Sequence, residues 1–523
     1  MVCRTCLKVN IFDIVKKAKL VAKKAKLVAK QDATPAAKFS DTPMFCVQTF
    51  HAMPDLYRDR YAVGDAIVTI TDDFQYLVFE PQFKNESDKL AYDKIMQYKQ
   101  LLKEDVNSLT EEQLMISITA AAADLGLSNV LTDNYKTVRY FAKRDIFGYE
   151  ILDVMMKDSA HIEDITCSDP TSVGVIHRDY LESEVLRSNV HFRNSEHLNV
   201  FLERIARLGG KHISSSDPML DFQLEDKFRV AIISDEIISP KSAAFSIRIK
   251  SDKPFTITEM IEKNVIPTSV VSVIWKMLDF RGTGLVVGAT GAGKSSLLNT
   301  LFPLLHRSSK IMTIEDTAEL QIPQFDWTPL IIDAPITSPQ YHDKFQELLN
   351  AVLRHRPKMV SVGEVRGKST KKLFDVMSTG HSSLSSFHAF SAEGAMRKII
   401  SEYDVHPASF SHLWFILTVA TIIDKDKRHK RKCVSFDEVC YDGVQASLVN
   451  LCSYDALSDS FLGAIFAEMI SKSKKLDYLT RFDASSDLAS DLKRRASLLD
   501  ECVRQKAYTP KKVMGILSRY YAK

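Results

Sequence analysis

Apolar residues along this chain change their spacing several times, and the changes mark its elements. From residue 285 onward, short apolar β-branched runs alternate with segments of helical period. Strands are predicted at 285–287, 310–314, 359–362 and 384–387, with helices at 345–353 and 370–377 between them. Such alternation predicts a parallel α/β sheet that binds ligands at the C-terminal ends of its strands. Farther on, 434–439, the Asp442-Gly443 turn and 444–451 read as a hairpin, followed by helices. The longest apolar stretch, 413–423, is much too short to span a bilayer and reads as a buried helix or strand.

The upstream half has a different texture. Strand-like runs at 66–70 and 76–79 mix with helical ones at 90–102 and 111–125, which predicts a small α+β unit over about 45–149. The next segment carries a helix at 195–208, stopped by Gly209-Gly210, and strands at 228–233 and 243–249. Ser251-Asp252-Lys253-Pro254 has linker composition. At the start of the chain, KKAKLVA at 16–22 repeats at once as 23–29. On a helical wheel Ile11, Ile14, Val15, Ala18, Ala22, Ala25 and Ala29 form one apolar stripe under a lysine-rich face. A helix of that kind over 11–30 suits an anionic membrane surface or an acidic partner, and it also serves as a solubilising tail. The expected division is therefore a basic segment and linker at 1–42 and an α+β region at 43–250, with a split near 150. A linker at 251–264 and an α/β domain with C-terminal helices at 265–523 complete it.

Composition narrows the setting. At 523 residues the chain suggests two to four domains. Its net charge of +3 gives no overall electrostatic case for nucleic acid. The basic run Lys425-Asp-Lys-Arg-His-Lys-Arg-Lys432 has no aromatic stacking pattern and reads as a charged turn, so nucleic acid is disfavoured as a partner. Eight scattered cysteines without a secretory signal point to a reducing, cytoplasmic setting, and Cys3-x-x-Cys6 is half a metal site with no second half.

The densest chemistry lies at Gly288-Ala289-Thr290-Gly291-Ala292-Gly293-Lys294-Ser295-Ser296. This run fills the G-x-x-x-x-G-K-[ST] pattern between a strand and an apolar helix. Its glycines let successive N–H groups converge on phosphates, while the helix turns its positive end to the same place. Lys294 then reaches the β- and γ-phosphates of ATP, and Ser295 ligates Mg²⁺. Glu315, in Ile314-Glu-Asp-Thr317, and Glu364, in Val362-Gly-Glu-Val-Arg366, each end a predicted strand and so stand beside this loop. Glu364 takes the place of the usual metal-holding aspartate and acts on the metal or its water. Glu315 is the better candidate to polarise the attacking water. His381 and His388 flank a short strand, where a histidine can sense the γ-phosphate or simply be structural.

These four boxes, in this order, resemble the secretion ATPase superfamily that drives type II secretion, type IV pili, conjugation-type secretion and the archaellum, and are most similar to its archaeal branch. In its terms 288–295 is the Walker A loop, 314–317 the aspartate box, 360–367 the atypical Walker B box and 380–389 the histidine box. The likeness extends upstream through Ile162-Glu-Asp-Ile165, His212-Ile-Ser214, Pro218-Met-Leu-Asp221, Phe228-Arg229-Val230 and Phe245-Ser-Ile-Arg248. It implies a RecA-like P-loop motor domain preceded by an α+β domain, in two-domain subunits of a hexameric ring. The ring would push on a polytopic inner-membrane platform protein from the cytoplasmic face of the cell membrane. Arg229 and Arg248 match positions from which family members point arginines at nucleotide, the nearest γ-phosphate being that of the adjacent subunit. Two departures stand out: Glu225-Asp226-Lys227-Phe228 replaces a usually Gly-rich turn, and the zinc tetracysteine of some members is absent. The function implied is ATP hydrolysis that powers filament assembly or protein secretion. A conjugation-type transfer ATPase and a nucleotide-binding switch with little turnover are the alternatives.

Overall fold

The computed structural model describes residues 54, 56–101, 110–214, 218–234, 242–332, 339–365, 367, 369–425, 427–483 and 487–522. The basic repeat at 11–30, Cys3, Cys6 and the linker at 31–42 lie outside them. The chain divides into two compact units between Ile249 and Lys250.

The first unit is built on β1 (Asp59–Val63), β2 (Ala66–Ile70), β3 (Gln75–Phe79), β4 (Ile162–Cys167), β5 (Val173–His177), β6 (Leu186–Ser188), β7 (Met219–Leu224), β8 (Phe228–Ile233) and β9 (Ala244–Ile249). Among the described residues these form one sheet in the order β1-β2-β3-β6-β5-β4-β9-β8-β7, antiparallel except where β3 meets β6. Period-two alternation decides which face is buried. Phe228, Val230 and Ile232 of β8 point into the core, and Arg229 and Ala231 point out. The helix Ser195–Leu208 covers that core with Leu198, Phe201, Leu202 and Ile205, a stripe of helical spacing. Its start is fixed by Asn194, whose side chain accepts from the His197 N–H at 2.9 Å.

Residues 45–149 are not the single α+β unit that their local pattern suggests. Strands β1–β3 bury Val68, Ile70, Tyr76 and Val78 in the same core as Ile165 and Val230. The helices between Glu86 and Ile146 pack instead around their own core, which includes Phe83, Tyr92, Ile95, Leu114, Ile118 and Val138. The reason is that β3 finds its next partner in β6, far along the chain, and local periodicity carries no trace of such a pairing.

The second unit holds β10 (Gly284–Gly288), β11 (Ile311–Glu315), β12 (Trp327–Ile331), β13 (Met359–Val362), β14 (Glu364–Val365), β15 (Ser382–His388), β16 (Phe415–Ile423), β17 (His429–Tyr441), β18 (Ala446–Asp455) and β19 (Ser460–Leu462). The order is β12-β11-β13-β15-β10-β16-β17-β18-β19, with β14 paired to β15. The strands from β12 to β16 run parallel, and β17–β19 extend the sheet antiparallel. Helices cover both faces of the parallel part. Leu285 and Val287 enter one core and Val286 the other, which is why β10 reads as an unbroken apolar run.

Three expectations change here. Ile257–Glu262, inside the stretch read as linker, is a helix of the second unit that buries Ile257 and Met260. It is announced by a capping box, Thr256 and Glu259 exchanging side-chain and backbone hydrogen bonds. The ambiguous stretch at 413–423 resolves as β16, central in the sheet. The basic run at 425–432 is only partly a turn, because residues from His429 onward belong to β17. There Lys432 is buried opposite Ala420 and donates to the Asn264 carbonyl at 2.6 Å.

Candidate nucleotide site

β10 ends at Gly288, and the helix Lys294–Leu301 starts six residues later. The loop between them needs glycine for two separate reasons. At Gly288 a Cβ would meet the Val419 carbonyl oxygen of β16 at 2.4 Å, so no side chain fits. Gly291 (φ +74°) and Gly293 (φ +93°) instead adopt left-handed backbone, which costs glycine nothing. The chain thus turns sharply enough to aim the first N–H groups of the helix back over the strand end.

Lys294 is 8% exposed. Its Nζ donates to the Ala289 carbonyl at 2.9 Å and stands 3.4 Å from His388 Nδ1. His388 ends β15, with its Cα paired to that of Gly288 across the parallel ladder. Its Nε2 is in contact with the Glu364 carboxylate. The tautomer that satisfies both neighbours carries its proton on Nε2, donates to Glu364 and presents a bare Nδ1 to Lys294. Glu364 opens β14 opposite Ser386, whose hydroxyl donates to the Gly363 carbonyl at 2.6 Å. Ala289, Lys294, His388 and Glu364 therefore form a continuous polar chain at one end of the sheet. Beside it lies a cavity of about 470 Å³, lined in part by Gly288, Ala289, Thr290, His388, Phe390 and Arg397. Thr290 and Phe390 are exposed, Ala292 is buried, and Ser295 and Ser296 are half-buried at the head of the helix.

Glu315 ends β11, which reaches β10 only through β13 and β15. Its side chain is 3% exposed, and Oε1 accepts from the N–H groups of Glu319 (3.1 Å) and Leu320 (2.9 Å). Oε2 has no partner among the described residues. Gly363 makes room for it: a Cβ there would lie 3.0 Å from Glu315 Cγ. Asn299, on the helix after the phosphate loop, ties this region down by accepting from the Gln321 N–H (2.9 Å) and donating to the Glu319 carbonyl (3.2 Å).

Burial outweighs the two amide bonds and raises the Glu315 carboxyl from 4.5 to about 7. The sign of the linkage follows. The folded protein holds the proton that the unfolded chain releases near pH 4.5, so the stability from the neutral form is lost as pH rises through about 7. In nucleotide-free protein Glu315→Gln, which cannot ionise, is expected to gain on wild type by about 2–3 kcal/mol between pH 5 and pH 9. Guanidinium unfolding followed by tryptophan fluorescence reads this directly, because Trp275, Trp327 and Trp414 all lie in the second unit. A difference that stays constant across that range would remove the raised carboxyl.

The other candidate residues divide. His381 precedes β15 at the strand end opposite His388, about 23 Å along an extended chain, and is not part of this site. Arg229 and Arg248 belong to the first unit, where β8 and β9 set them directly opposite one another. Arg229 binds Asp221 through Nε (3.0 Å) and Nη2 (2.8 Å), and Arg248 Nε binds Asp164 at 3.1 Å. The turn before Arg229 dispenses with glycine by holding Glu225 at φ +51°, its carboxylate accepting from the Tyr149 hydroxyl at 2.6 Å. Sequence reasoning missed Phe390 and Arg397, which line the cavity but follow the histidine box without any motif of their own.

A glycine cradle at the end of a parallel strand, a buried lysine heading the next helix and a glutamate–histidine pair facing it define a P-loop ATPase site. Residues 159–402 match the family model described as Type II/IV secretion system protein. An uncharacterized protein of Methanocaldococcus jannaschii is 25% identical over 501 residues, 88% of this chain and 89% of that protein. The type IV secretion system protein PtlH of Bordetella pertussis is 26% identical over 234 residues, 40% of this chain and 69% of PtlH. Among solved structures, the Legionella pneumophila ATPase DotB aligns over 69% of this chain and 88% of its own at 14% identity, with a TM-score of 0.40. No helix among the described residues is long and apolar enough to cross a membrane.

Proposed function

We propose that this chain is the ATP-hydrolysing motor of a type IV pilus-like or archaellum filament, or of a protein secretion machine, and that it works as a homohexamer on the cytoplasmic face of the cell membrane. The observation that carries the reading is the polar chain from Ala289 through Lys294 and His388 to Glu364. Bound ATP supplies the phosphoryl group to be transferred, and Mg²⁺ offsets its charge. The N–H groups of Gly288 to Ser296 and the Lys294 ammonium would hold the phosphates, and Ser295 and Glu364 would hold the metal. One partner of Lys294 Nζ is the neutral Ala289 carbonyl, a weaker acceptor than a phosphate oxygen, so a phosphate can displace that bond. Glu364 fixes the His388 ring, which turns Nδ1 toward Lys294 and lets the ring follow what the ammonium holds. Glu315, locked at Oε1 by two amides, keeps Oε2 for the attacking water, with a carboxyl of about 7 suited to a general base.

Arg229 and Arg248 bring guanidinium groups to the phosphates of a neighbouring subunit, which couples hydrolysis to ring geometry. Subunit mixing tests this. Arg248→Ala and Lys294→Ala are each expected to be inactive, while a random equal mixture regains turnover at the roughly one quarter of interfaces where intact loop meets intact arginine. A mixture as dead as its parents, in rings shown by mass to be mixed, means that the arginine acts within its own subunit or that turnover needs several intact sites, and an active Arg248→Ala rejects any role.

Residues 11–30 attach the motor to anionic lipid beside its polytopic platform protein, since clustered lysines gain from a negative surface potential. Removing 11–30 is expected to leave ATP turnover intact and to abolish salt-sensitive binding to anionic vesicles. Equal vesicle binding by the shortened and full-length chains would leave the platform as the tether.

A further inference from the structure

The edge of the motor sheet remote from the phosphate loop carries a second site. Lys310 immediately precedes β11, Lys358 precedes β13, His381 precedes β15, and Arg281 lies just before β10. These four strands are parallel, so the four residues enter the sheet at one edge. The phosphate loop leaves β10 at the other, about 17 Å away along a five-residue strand. There they surround a cavity of about 400 Å³ that Arg356, His306 and Ser309 also line.

Among the described residues no carboxylate lines this cavity, and no acid lies within ion-pair distance of Arg281, Lys310, Arg356 or Lys358. The acid that acts on Lys358 is Asp279, already engaged by Arg495 Nη1 at 2.6 Å and the Tyr521 hydroxyl at 2.5 Å. Burial, with Arg281 adding to it, lowers both the Lys358 ammonium and the His381 imidazole. Ser309, 4% exposed, has an Oγ with no hydrogen-bond partner among the described residues. Arg281 and Arg356 are exposed and Lys310 and Lys358 half-buried, so water screens part of their repulsion, but a buried idle hydroxyl beneath four gathered cations is best satisfied by something that accepts hydrogen bonds and carries negative charge.

We propose that this pocket is a second anion site of the motor domain, built for a compact phosphoanion with two linked phosphates. Arg281 and Arg356 present planar forks that match phosphate oxygens, Lys310 and Lys358 add point charges, and Ser309 donates to an oxygen from the buried side. A compact diphosphate meets this density of positive charge inside one concavity. An acidic peptide, with one charge per side chain, does not.

Calorimetric titration of pyrophosphate into the full chain tests the proposal. Two sites are expected, of which Lys294→Ala weakens one and the double variant Arg356→Gln/Lys358→Gln weakens the other by about tenfold or more, as loss of charge-assisted hydrogen bonds demands. ATP turnover of the double variant is expected to match wild type, which shows the motor intact. Lys310→Gln is expected to give a smaller loss in the same direction, and orthophosphate to bind the pocket more weakly than pyrophosphate. Unchanged pyrophosphate binding in the double variant overturns the site, and so does loss of turnover together with binding, which would place these cations in the fold of the nucleotide site. Equal affinity for orthophosphate, or displacement of pyrophosphate by a lower concentration of hexaglutamate, overturns the assignment to linked phosphates.

Discussion

Lys294→Ala protein is expected to fold and to hydrolyse ATP at least about 10²–10³-fold more slowly than wild type. Phosphoryl transfer asks little covalent chemistry of a protein, so removing the one buried cation at the head of the phosphate-loop helix removes stabilisation where negative charge shifts. The low exposure of Lys294 makes the loss large, because the ammonium works where water screens it poorly. Folding is expected to survive, since Leu297, Leu298 and Leu301 of the same helix remain packed in the core. Steady-state turnover on protein shown to be monodisperse decides the matter. A rate within a few-fold of wild type would take Lys294 out of the chemistry and the phosphate loop with it.

Glu364→Gln is expected to leave nucleotide affinity within a few-fold of wild type while the rate falls by about 10²–10⁴. The amide keeps the shape of the side chain and still accepts the His388 Nε2 proton, but it carries no charge toward a metal or its water. Binding and chemistry should therefore separate, and equilibrium titration with a non-hydrolysable analogue beside single-turnover rates shows whether they do. If affinity and rate fall together, Glu364 serves ground-state binding. The same comparison on His388→Ala reads a positioning residue: its ring meets Lys294 on one side and Glu364 on the other, and losing it loosens both.

Much of the site is legible in order along the chain. The glycine spacing at 288–293, the lysine and serine that follow, and the apolar runs before Glu315 and Glu364 all arise from local demands: turns that need left-handed backbone, a helix end that needs an anion, strands buried on both faces. Interactions between distant segments are not legible. That Gly363 is a glycine because Glu315 packs on it depends on β11 and β13 lying side by side. That His388 rather than His381 meets Lys294 depends on the direction and register of β15 against β10.

By itself, then, the sequence determined the strands at 285–287, 310–314, 359–362 and 384–387, the glycine turn of the phosphate loop and the resemblance to the secretion ATPases, because each rests on residues close together in the chain. Tertiary structure decided what distance along the chain conceals. It joined β1–β3 to strands beyond residue 160, turned the supposed linker helix Ile257–Glu262 into part of a core, and set Arg229 opposite Arg248. It also gathered Arg281, Lys310, Arg356 and Lys358, unremarkable one by one, around a single cavity. The physical reason is the same in each case. Local backbone preference and side-chain period act over a few residues, whereas strand order and register bring together groups whose partners lie tens of residues away.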